Sequence, residues 1–492
     1  MPPMPQSPAP APHRAIEAVW RIESAKVIAS VARIVRDVGL AEELAQDALV
    51  AALEHWGERG VPDNPGAWLM TTAKNRAFDR LRQDALHARK HDELGADLEA
   101  MQLHVEPDFV DALGAARDDD IGDDLLRLIF TACHPVLAEP ARVALTLRLL
   151  GGLTTQEIAR AYLTPEATIA QRIVRAKRTL AEAQVPFEVP HGEALAPRLA
   201  SVLAVVYLIF NEGYSATAGD DWMRPALCDE ALRLGRTLAT LVGRWGSERT
   251  APGPARPARP APGGAARRSP RRAGADAASP ARLDADPHGG RSPQGGGLGA
   301  LTSEVLGLVA LMELQASRVP ARTDAQGQPV LLPAQDRSRW DALLIRRGLA
   351  ALERADALAD AAGSARGPYA LQAALAACHA RAHHTDATDW AQIVALYDAL
   401  AEVAPSPVVA LNRAVAVGMA FGPAAGLALV DALAGEPLLA RYHWLPSVRA
   451  DLLAKLGRGA EARAEFERAA AMALNGRERE LLLARARGFE PG

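Results

Sequence analysis

A forty-residue stretch, Ala141–Leu180 (ARVALTLRLLGGLTTQEIARAYLTPEATIAQRIVRAKRTL), constrains the fold more than any other part of the chain. Apolar residues recur there at helical spacing, in three segments that are separated by short turns. Thr154 and Glu157 have the spacing of a capping box, which predicts the start of the middle helix. Thr164 followed by Pro165 is typical of an N-cap and the first helical position. The stretch therefore predicts three helices, and the last two form a helix-turn-helix.

The last of these helices is predicted to have one apolar side and one basic side. Its buried stripe is predicted to be Ile169, Ile173, Ala176 and Leu180. Its opposite side carries Thr168, Gln171, Arg172, Arg175 and Arg178. Gln and Arg make bidentate hydrogen bonds with base edges in the major groove, and basic neighbours suit phosphates. We therefore predict DNA binding by these five residues; a solvated basic face on an ordinary surface helix is the alternative.

The remainder of the chain is also predicted to be helical, so the expected fold class is all-α. Hydrophobic residues make up 49% of the chain and aromatic residues only 4%, and few segments alternate with the period of a strand. A length of 492 residues suggests roughly three domains. The net charge of −4 excludes a uniformly basic nucleic-acid coat, so any DNA affinity must come from local patches.

The cysteines and the N-terminus predict a cytoplasmic, soluble protein without a membrane partner. Cys133, Cys228 and Cys378 are far apart and odd in number, which argues against a disulfide framework. Residues 1–14 form a Pro-rich tail that we expect to be disordered, and they lack the apolar core of a signal peptide. No uninterrupted apolar run is long enough to span a bilayer.

The first folded block, residues 15–96, predicts three helices, over Ile16–Val38, Ala41–Trp56 and Gly66–Gln83. The loop Gly57–Pro65 between the last two is dense in turn-forming residues. The third helix is expected to bury Leu69, Ala73, Phe78 and Leu81. An acidic linker, residues 97–124, follows, and its aspartates are expected to be solvated; they are Asp118, Asp119, Asp120, Asp123 and Asp124. The helix-turn-helix domain then covers residues 125–188.

The last block, residues 195–492, consists of Ala/Leu-rich helix pairs. Trp444–Ala473 has a tight turn and small alanines at helical spacing, which is the tetratricopeptide (TPR) pattern. The block therefore predicts a TPR-like solenoid, with an irregular helical bundle as the alternative. The polar cluster Asn211–Tyr214 is expected to cap a helix or to bridge the helix-turn-helix domain and the solenoid.

A Pro/Arg/Gly-rich segment, residues 243–299, interrupts this block. It contains too few apolar residues to offset its ordering entropy, so we predict that it is disordered. The amphipathic segments Asp229–Leu241 and Ser303–Arg318 flank it and are expected to be packing partners. The segment is therefore interpreted as an insertion between adjacent helices and not as a domain boundary.

Taken in order, these motifs resemble those of the extracytoplasmic-function (ECF) sigma factors of bacterial RNA polymerase, in the subgroup with a TPR-like C-terminal extension. AEELAQDALVAALEHW is similar to the helix that docks on the polymerase clamp, and GAWLMTTAKNRAFDRLR is similar to the helix that reads the −10 element. LTTQEIARAYLTPEATIAQRIVRAKRTL resembles region four. The resemblance covers the chain except the N-terminal tail and residues 243–299. It implies two small helical sigma domains followed by the solenoid.

The resemblance implies recognition of promoter DNA and of the RNA polymerase core. The expected polymerase contacts are Glu42, Glu43, Gln46 and Asp47. The expected −10 contacts are Lys74, Asn75, Arg76 and Arg80, with a flipped base held by the loop Gly57–Pro65. The expected −35 contacts are Gln171, Arg172 and Arg175, within the basic face described above. Trp68 is interpreted as a core anchor slightly ahead of a base-stacking residue.

Two functions follow from the sequence. The first is a sigma factor whose C-terminal domain regulates it or docks a regulatory protein. The alternative is a one-component helix-turn-helix regulator with a helical sensor domain, which would not need the first block. An enzyme hidden in the extension is a weaker third possibility, since no catalytic constellation is apparent. The cluster Cys378, His379, His383 and His384 has no second ligand pair nearby, so no metal and no cofactor are expected.

Overall fold

The computed structural model of the protein describes residues 11–93, 118–250 and 298–489, apart from 163, 218 and 220. Regular structure in these ranges is helical, with two isolated β-bridges and no strand. The all-α prediction is therefore confirmed. The first seven helices are α1 (Ala11–Val35), α2 (Val38–Arg59), α3 (Pro65–Glu93), α4 (Asp118–Ala132), α5 (Glu139–Leu149), α6 (Thr155–Ala161) and α7 (Glu166–Glu182).

Helices α1, α2 and α3 pack into a three-helix unit. The α2 N-terminus is capped by Asp37, whose carboxylate accepts a hydrogen bond from the Leu40 amide at 2.8 Å. Leu69 and Ala73 of α3 are buried as expected, but Leu81 is 39% exposed and Ala77 is buried instead. The prediction for Leu81 was wrong because the buried stripe of α3 continues through Ala73 and Ala77.

Helices α4 to α7 form the second unit, which contains the predicted helix-turn-helix. The capping box is confirmed: the Thr154 amide donates to Glu157 Oε2 at 2.8 Å, and the Glu157 amide donates to Thr154 Oγ1 at 3.1 Å. Thr164 was wrongly predicted as a cap, because its hydroxyl donates to the Tyr162 carbonyl and Pro165 occupies the N-cap position of α7. The α7 stripe is confirmed by the burial of Ile169, Ile173, Ala176 and Leu180.

The acidic run before this unit belongs to helix α4, which begins at Asp118. Residues 97–117 of the predicted linker lie outside the described residues, as do residues 94–96 before it. Asp124 is 1% exposed, contrary to the expectation of a solvated charge. Its carboxylate lies 2.6 Å from Arg127 and 3.3 Å from Arg33 of α1. Two guanidinium groups offset the desolvation of this carboxylate, and they join α4 to the first unit.

In the described part of the C-terminal extension there are eleven further α-helices, which pack as successive neighbours. The first five are α8 (Leu195–Tyr214), α9 (Pro225–Thr250), α10 (Leu298–Ala316), α11 (Ala342–Ala361) and α12 (Pro368–Arg381). The others are α13 (Trp390–Val403), α14 (Pro407–Phe421), α15 (Pro423–Ala432), α16 (Trp444–Lys455), α17 (Gly459–Met472) and α18 (Gly476–Arg487). Small residues allow close pairing: a Cβ at Gly426 of α15 would lie 2.8 Å from the Gly418 Cα of α14.

Helix α8 attaches the extension to the helix-turn-helix unit. Arg198 donates from Nη2 to the Phe130 carbonyl at 2.7 Å, and the Ser201 hydroxyl donates to the Cys133 carbonyl at 2.7 Å. The cluster Asn211–Tyr214 forms the last turn of α8, so its interpretation as a cap was wrong. A Cβ at Gly213 would lie 2.6 Å from the Cys228 amide, which shows how closely α8 and α9 approach.

Two helical segments are long and apolar enough to cross a bilayer by length and composition, contrary to the sequence expectation. They are Gly192–Tyr214 and Gly299–Ala321, with mean hydropathies of 1.7 and 1.2. Core helices of soluble proteins pass the same test, and 44% and 78% of these windows are buried within the protein. Their apolar surface therefore contributes to the helical core.

The predicted insertion has its ends at two helices that pack on each other. Arg236 Nε of α9 lies 2.8 Å from Glu313 Oε1 of α10, and Gly235 leaves room for Met312 against α9. Residues 243–250 and 298–299 are helical, at the end of α9 and the start of α10, so the predicted disorder was wrong there. Residues 251–297 lie outside the described residues, where the disorder remains a prediction.

Replacing residues 251–297 with about twelve Gly/Ser residues, which span roughly 19 Å, should preserve the fold. The expected result is unchanged helical circular dichroism and a Tm within about 3 °C of the parent. The matched control is a deletion of residues 244–302, which also removes the buried Leu301 and Thr302 and should lower Tm further. If the variant with Gly/Ser residues in place of residues 251–297 is unfolded, the insertion interpretation is contradicted.

Candidate nucleic-acid and polymerase interface

The basic face predicted on α7 lies at the protein surface, opposite the buried stripe. Gln171, Arg175 and Arg178 are exposed, whereas Thr168 and Arg172 are half-buried. Arg178 forms an exposed ion pair with Glu182 one turn later, at 3.2 Å. Such surface pairs contribute about 0–1 kcal/mol, so a DNA phosphate can replace the carboxylate at little cost.

The candidate −10 residues lie in the middle of α3 but do not all share one side, because Lys74, Asn75 and Arg76 are successive residues that point about 100° apart. Asn75 and Arg80 are exposed, and Lys74 and Arg76 are half-buried. Arg76 Nη1 lies 3.4 Å from the Asp47 carboxylate of α2. Arg80 Nε lies 3.2 Å from Asp84, and both side chains are about half exposed. The α3 face is therefore a solvated basic surface with partners that are easily exchanged.

The loop before α3 is shorter than predicted, because α2 continues to Arg59. Gly60 has a φ of 82°, a left-handed value that favours glycine at this turn. The Asn64 side chain accepts a hydrogen bond from the Ala67 amide at 3.1 Å. Trp68 is half-buried and meets the buried Trp56 edge to face, with the ring centroids 5.4 Å apart. Trp68 therefore contacts the core of this unit, while the loop residues remain accessible.

The four candidate polymerase contacts do not share one side of α2. Glu43 and Asp47 are exposed, and Gln46 is half-buried. Glu42 is 3% exposed and accepts a hydrogen bond from Gln46 Nε2 at 2.6 Å. Successive helical residues point about 100° apart, so neighbouring glutamates can face solvent and core respectively.

Glu42 is covered by the helix-turn-helix unit. Its Oε1 lies 2.7 Å from Arg148 Nε of α5, and its carboxylate also pairs with Lys177 of α7. A second ion pair, between Arg21 of α1 and Glu157 of α6, spans the same boundary at 2.8 Å. The first unit is therefore closed against the second in this conformation. Sequence reasoning missed Arg148 and Lys177; the only signal was that Lys177 flanks the buried stripe.

The cysteines and histidines considered in the sequence are mostly buried. Burial raises the pKa of Cys133 to about 11 and that of Cys228 to about 12. Cys378 donates to Gln392 Oε1 at 3.3 Å, and burial lowers the pKa of His379 to about 4. His383 and His384 are exposed. Within the described ranges, no group of three or more His, Cys, Asp or Glu residues could hold a metal ion.

Two known protein families match the two N-terminal units, one family for each unit. Sigma-70 region 2 matches residues 22–86, and Sigma-70, region 4, matches residues 127–180. The ECF RNA polymerase sigma factor SigK of Mycobacterium ulcerans (strain Agy99) is 31% identical over 159 residues, which are 32% of this chain and 78% of SigK. SigK of Mycobacterium tuberculosis (strain ATCC 25177 / H37Ra) is 32% identical over 161 residues, with the same coverage. The chain belongs to the ECF sigma factors.

This sigma factor also carries a C-terminal extension that known proteins share. A family of unknown function, DUF6596, matches residues 198–248 and 298–356, on either side of the predicted insertion. An uncharacterized protein of Rhizobium meliloti (strain 1021) is 39% identical over 447 residues, which are 91% of this chain and 89% of that protein. Comparison with solved structures gave no match.

The predicted function as a sigma factor is therefore confirmed. The protein is an RNA polymerase sigma factor that directs transcription initiation, and its partners are the polymerase core and promoter DNA. We call residues 22–86 region two and residues 127–180 region four from here on.

Glu42→Gln should weaken the contact between region two and region four, because it leaves Arg148 and Lys177 without their carboxylate. Since both cations are about one-fifth exposed and regain some water, we expect a loss of about 2 kcal/mol in the free energy of unfolding. Urea denaturation measures it. The matched control is Glu43→Gln, on the exposed side of α2, with an expected change below about 0.5 kcal/mol. Equal effects of the two substitutions would contradict a structural role for Glu42.

Proposed function

We propose that this sigma factor reads its promoter at two points, with α3 on the −10 element and α7 on the −35 element. The observation that carries the proposal is the presence of two solvated basic faces on helices that match two different sigma regions. A one-component regulator would use the helix-turn-helix alone, so the region two match disfavours that alternative.

The proposed roles of the basic residues follow from their chemistry. On α7, Gln171, Arg172 and Arg175 contact base edges, and Thr168 and Arg178 contact the backbone. On α3, the proposed contacts with the separated −10 strand are Lys74, Asn75, Arg76 and Arg80. The accessible loop before α3 holds a flipped base, whose unstacking costs a few kcal/mol.

The proposed polymerase surface is the outer side of α2. Glu43, Asp47 and Val50 have the spacing of one helical face and are all exposed, Val50 by 52%. An exposed apolar side chain beside two carboxylates suits a protein partner better than solvent. Gln46 contributes at the edge of this surface. Glu42 can join it only after region two separates from region four, because Arg148 and Lys177 cover it here.

We further propose that the extension regulates the sigma domains or docks a regulatory protein. Its helix pairs α13–α14 and α16–α17 support the TPR-like interpretation, in which successive pairs build a binding surface. The protein acts by binding and not by catalysis, and it acts in the cytoplasm, where core polymerase and promoter DNA are found.

A promoter library with random −10 and −35 positions, transcribed by sigma-free core polymerase plus this protein, tests the two-point proposal. Arg175→Ala should relax the −35 preference by about 1–3 kcal/mol and leave the −10 preference unchanged. Sequencing of the transcribed templates measures both preferences.

Arg346→Ala is the control, because Arg346 is an exposed arginine on α11 of the extension. It should change neither preference. The proposal fails if no promoter-directed transcript forms, or if Arg175→Ala leaves the −35 preference intact.

A disulfide between region two and region four tests whether they must separate. A Cβ at Gly39 of α2 would lie 3.7 Å from the Lys177 Cβ of α7, which is within the range of disulfides. The variant Gly39→Cys with Lys177→Cys should therefore form a bond on oxidation and lose transcription. Reduction should restore it, because the outer contacts are unchanged.

Each single cysteine variant, oxidised in the same way, serves as the control and should stay active. Gel mobility of the unfolded protein shows whether the bond has formed. Full transcription by the cross-linked protein would show that the closed contact is compatible with initiation.

A further inference from the structure

A cavity of about 440 Å³ lies inside the extension, away from both basic faces. Its walls come from α8, from the segment after α10, and from α16 and α18. The far ends of the extension meet beside it: Asn475 Nδ2 donates to the carbonyls of Ala216 and Asp221, and the Gly476 amide donates to the Gly219 carbonyl at 2.8 Å. The cavity therefore has a folded wall on each side, and its volume is typical of small-molecule sites.

The wall carries two arginines without a carboxylate partner. Arg322 is 8% exposed, and its guanidinium carbon lies 3.7 Å from the Tyr214 ring centroid and 5.3 Å from that of Trp222. Arg318 Nε donates to the Tyr214 hydroxyl at 3.0 Å. Among the described residues, no Asp or Glu forms an ion pair with either arginine.

The acidic groups of the wall already have partners. Asp451 pairs with Arg485, and Glu478 Oε2 lies 3.0 Å from His443 Nε2. The wall holds three arginines, Arg318, Arg322 and Arg485, against two carboxylates, so its net charge is positive. Burial lowers the pKa of Arg322, and the two arginines lower the pKa of Tyr214 despite its burial, as expected where positive charge lacks a counter-ion.

Two further polar atoms on the wall have no hydrogen-bond partner in the part of the chain that the structure describes. Trp222 Nε1 is a buried donor without an acceptor. Gln335 is 8% exposed, and its Oε1 is a buried acceptor without a donor, although its Nε2 donates to the Val330 carbonyl at 3.0 Å. Unsatisfied buried polar atoms are costly, so two of them on one cavity wall call for a partner inside it.

We propose that this cavity binds a small aromatic carboxylate. The carboxylate accepts hydrogen bonds from Arg318, Arg322 and Trp222 Nε1. Each arginine offers a planar fork of donors and the tryptophan a single donor, which suits the carboxylate oxygens. A donor group on the ligand reaches Gln335 Oε1. The aromatic body packs against Tyr207 and Trp444, which also line the cavity.

The test is binding to the full chain without polymerase or DNA, so that its result does not depend on the proposed promoter contacts. The probes are benzoate, 2-naphthoate and indole-3-acetate, each compared with its neutral amide. At least one carboxylate should raise Tm and bind in calorimetry at millimolar concentration or below, and its amide should bind at least about tenfold more weakly. The proposal is overturned if a carboxylate and its amide bind equally. It is also overturned if none of the carboxylates binds at about 10 mM.

Variants locate the site. Arg322→Gln and Arg318→Gln should each weaken binding by at least about tenfold. Trp222→Phe keeps an aromatic ring and should weaken binding severalfold. Arg346→Gln, an exposed arginine outside the cavity, is the matched control and should bind like the parent. Circular dichroism identifies any variant that fails to fold, and Trp222→Phe then decides, since it removes the Nε1 donor and keeps an aromatic ring. Binding unchanged by all three cavity variants would place the ligand elsewhere and overturn the proposal.

Discussion

The structure depends on the burial of one helix, α8, which is apolar on nearly every side. Such a helix is stable only when other elements cover it. Region four covers its first half, through Arg198 and Ser201, and the extension covers its second half around Tyr207 and Tyr214. One continuous core therefore runs from Ile16 in α1 to Ala377 in α12. The extension is packed onto the sigma domains and not merely tethered to them.

Periodicity predicted the parts of the sigma domains that depend on local sequence. The capping box at Thr154 and the α7 stripe needed only residues within a few turns of each other. Glu42 could not be placed in this way, because its partner Arg148 is 106 residues away. A helical pattern shows which residues share a side, but the neighbour that covers that side is set by tertiary packing. The same reason explains why Asp124 was expected in solvent and is buried beside Arg33.

The candidate DNA faces were accessible to sequence reasoning, whereas the cavity was not. Arg175 stands opposite a clear apolar stripe, so its exposure followed from the helix alone. The cavity combines Tyr214, Arg322 and Arg485, which come from distant parts of the chain, and no motif marks any of them. These residues come together only in the folded protein, where the loop after α8 contacts the start of α18.

That meeting, through Asn475 and Gly219, changes how the extension can unfold. In an open solenoid each repeat contacts only its neighbours, so the terminal repeat can fray while the rest stays folded. Here, loosening α18 also removes the hydrogen bonds that its start makes with Ala216, Gly219 and Asp221, in the loop after α8. Because α8 lies on region four, fraying at the C-terminal end would disturb the DNA-reading unit as well. Helix α18 is thus coupled to the cooperative folding of the whole chain, and its loss should also destabilise region four.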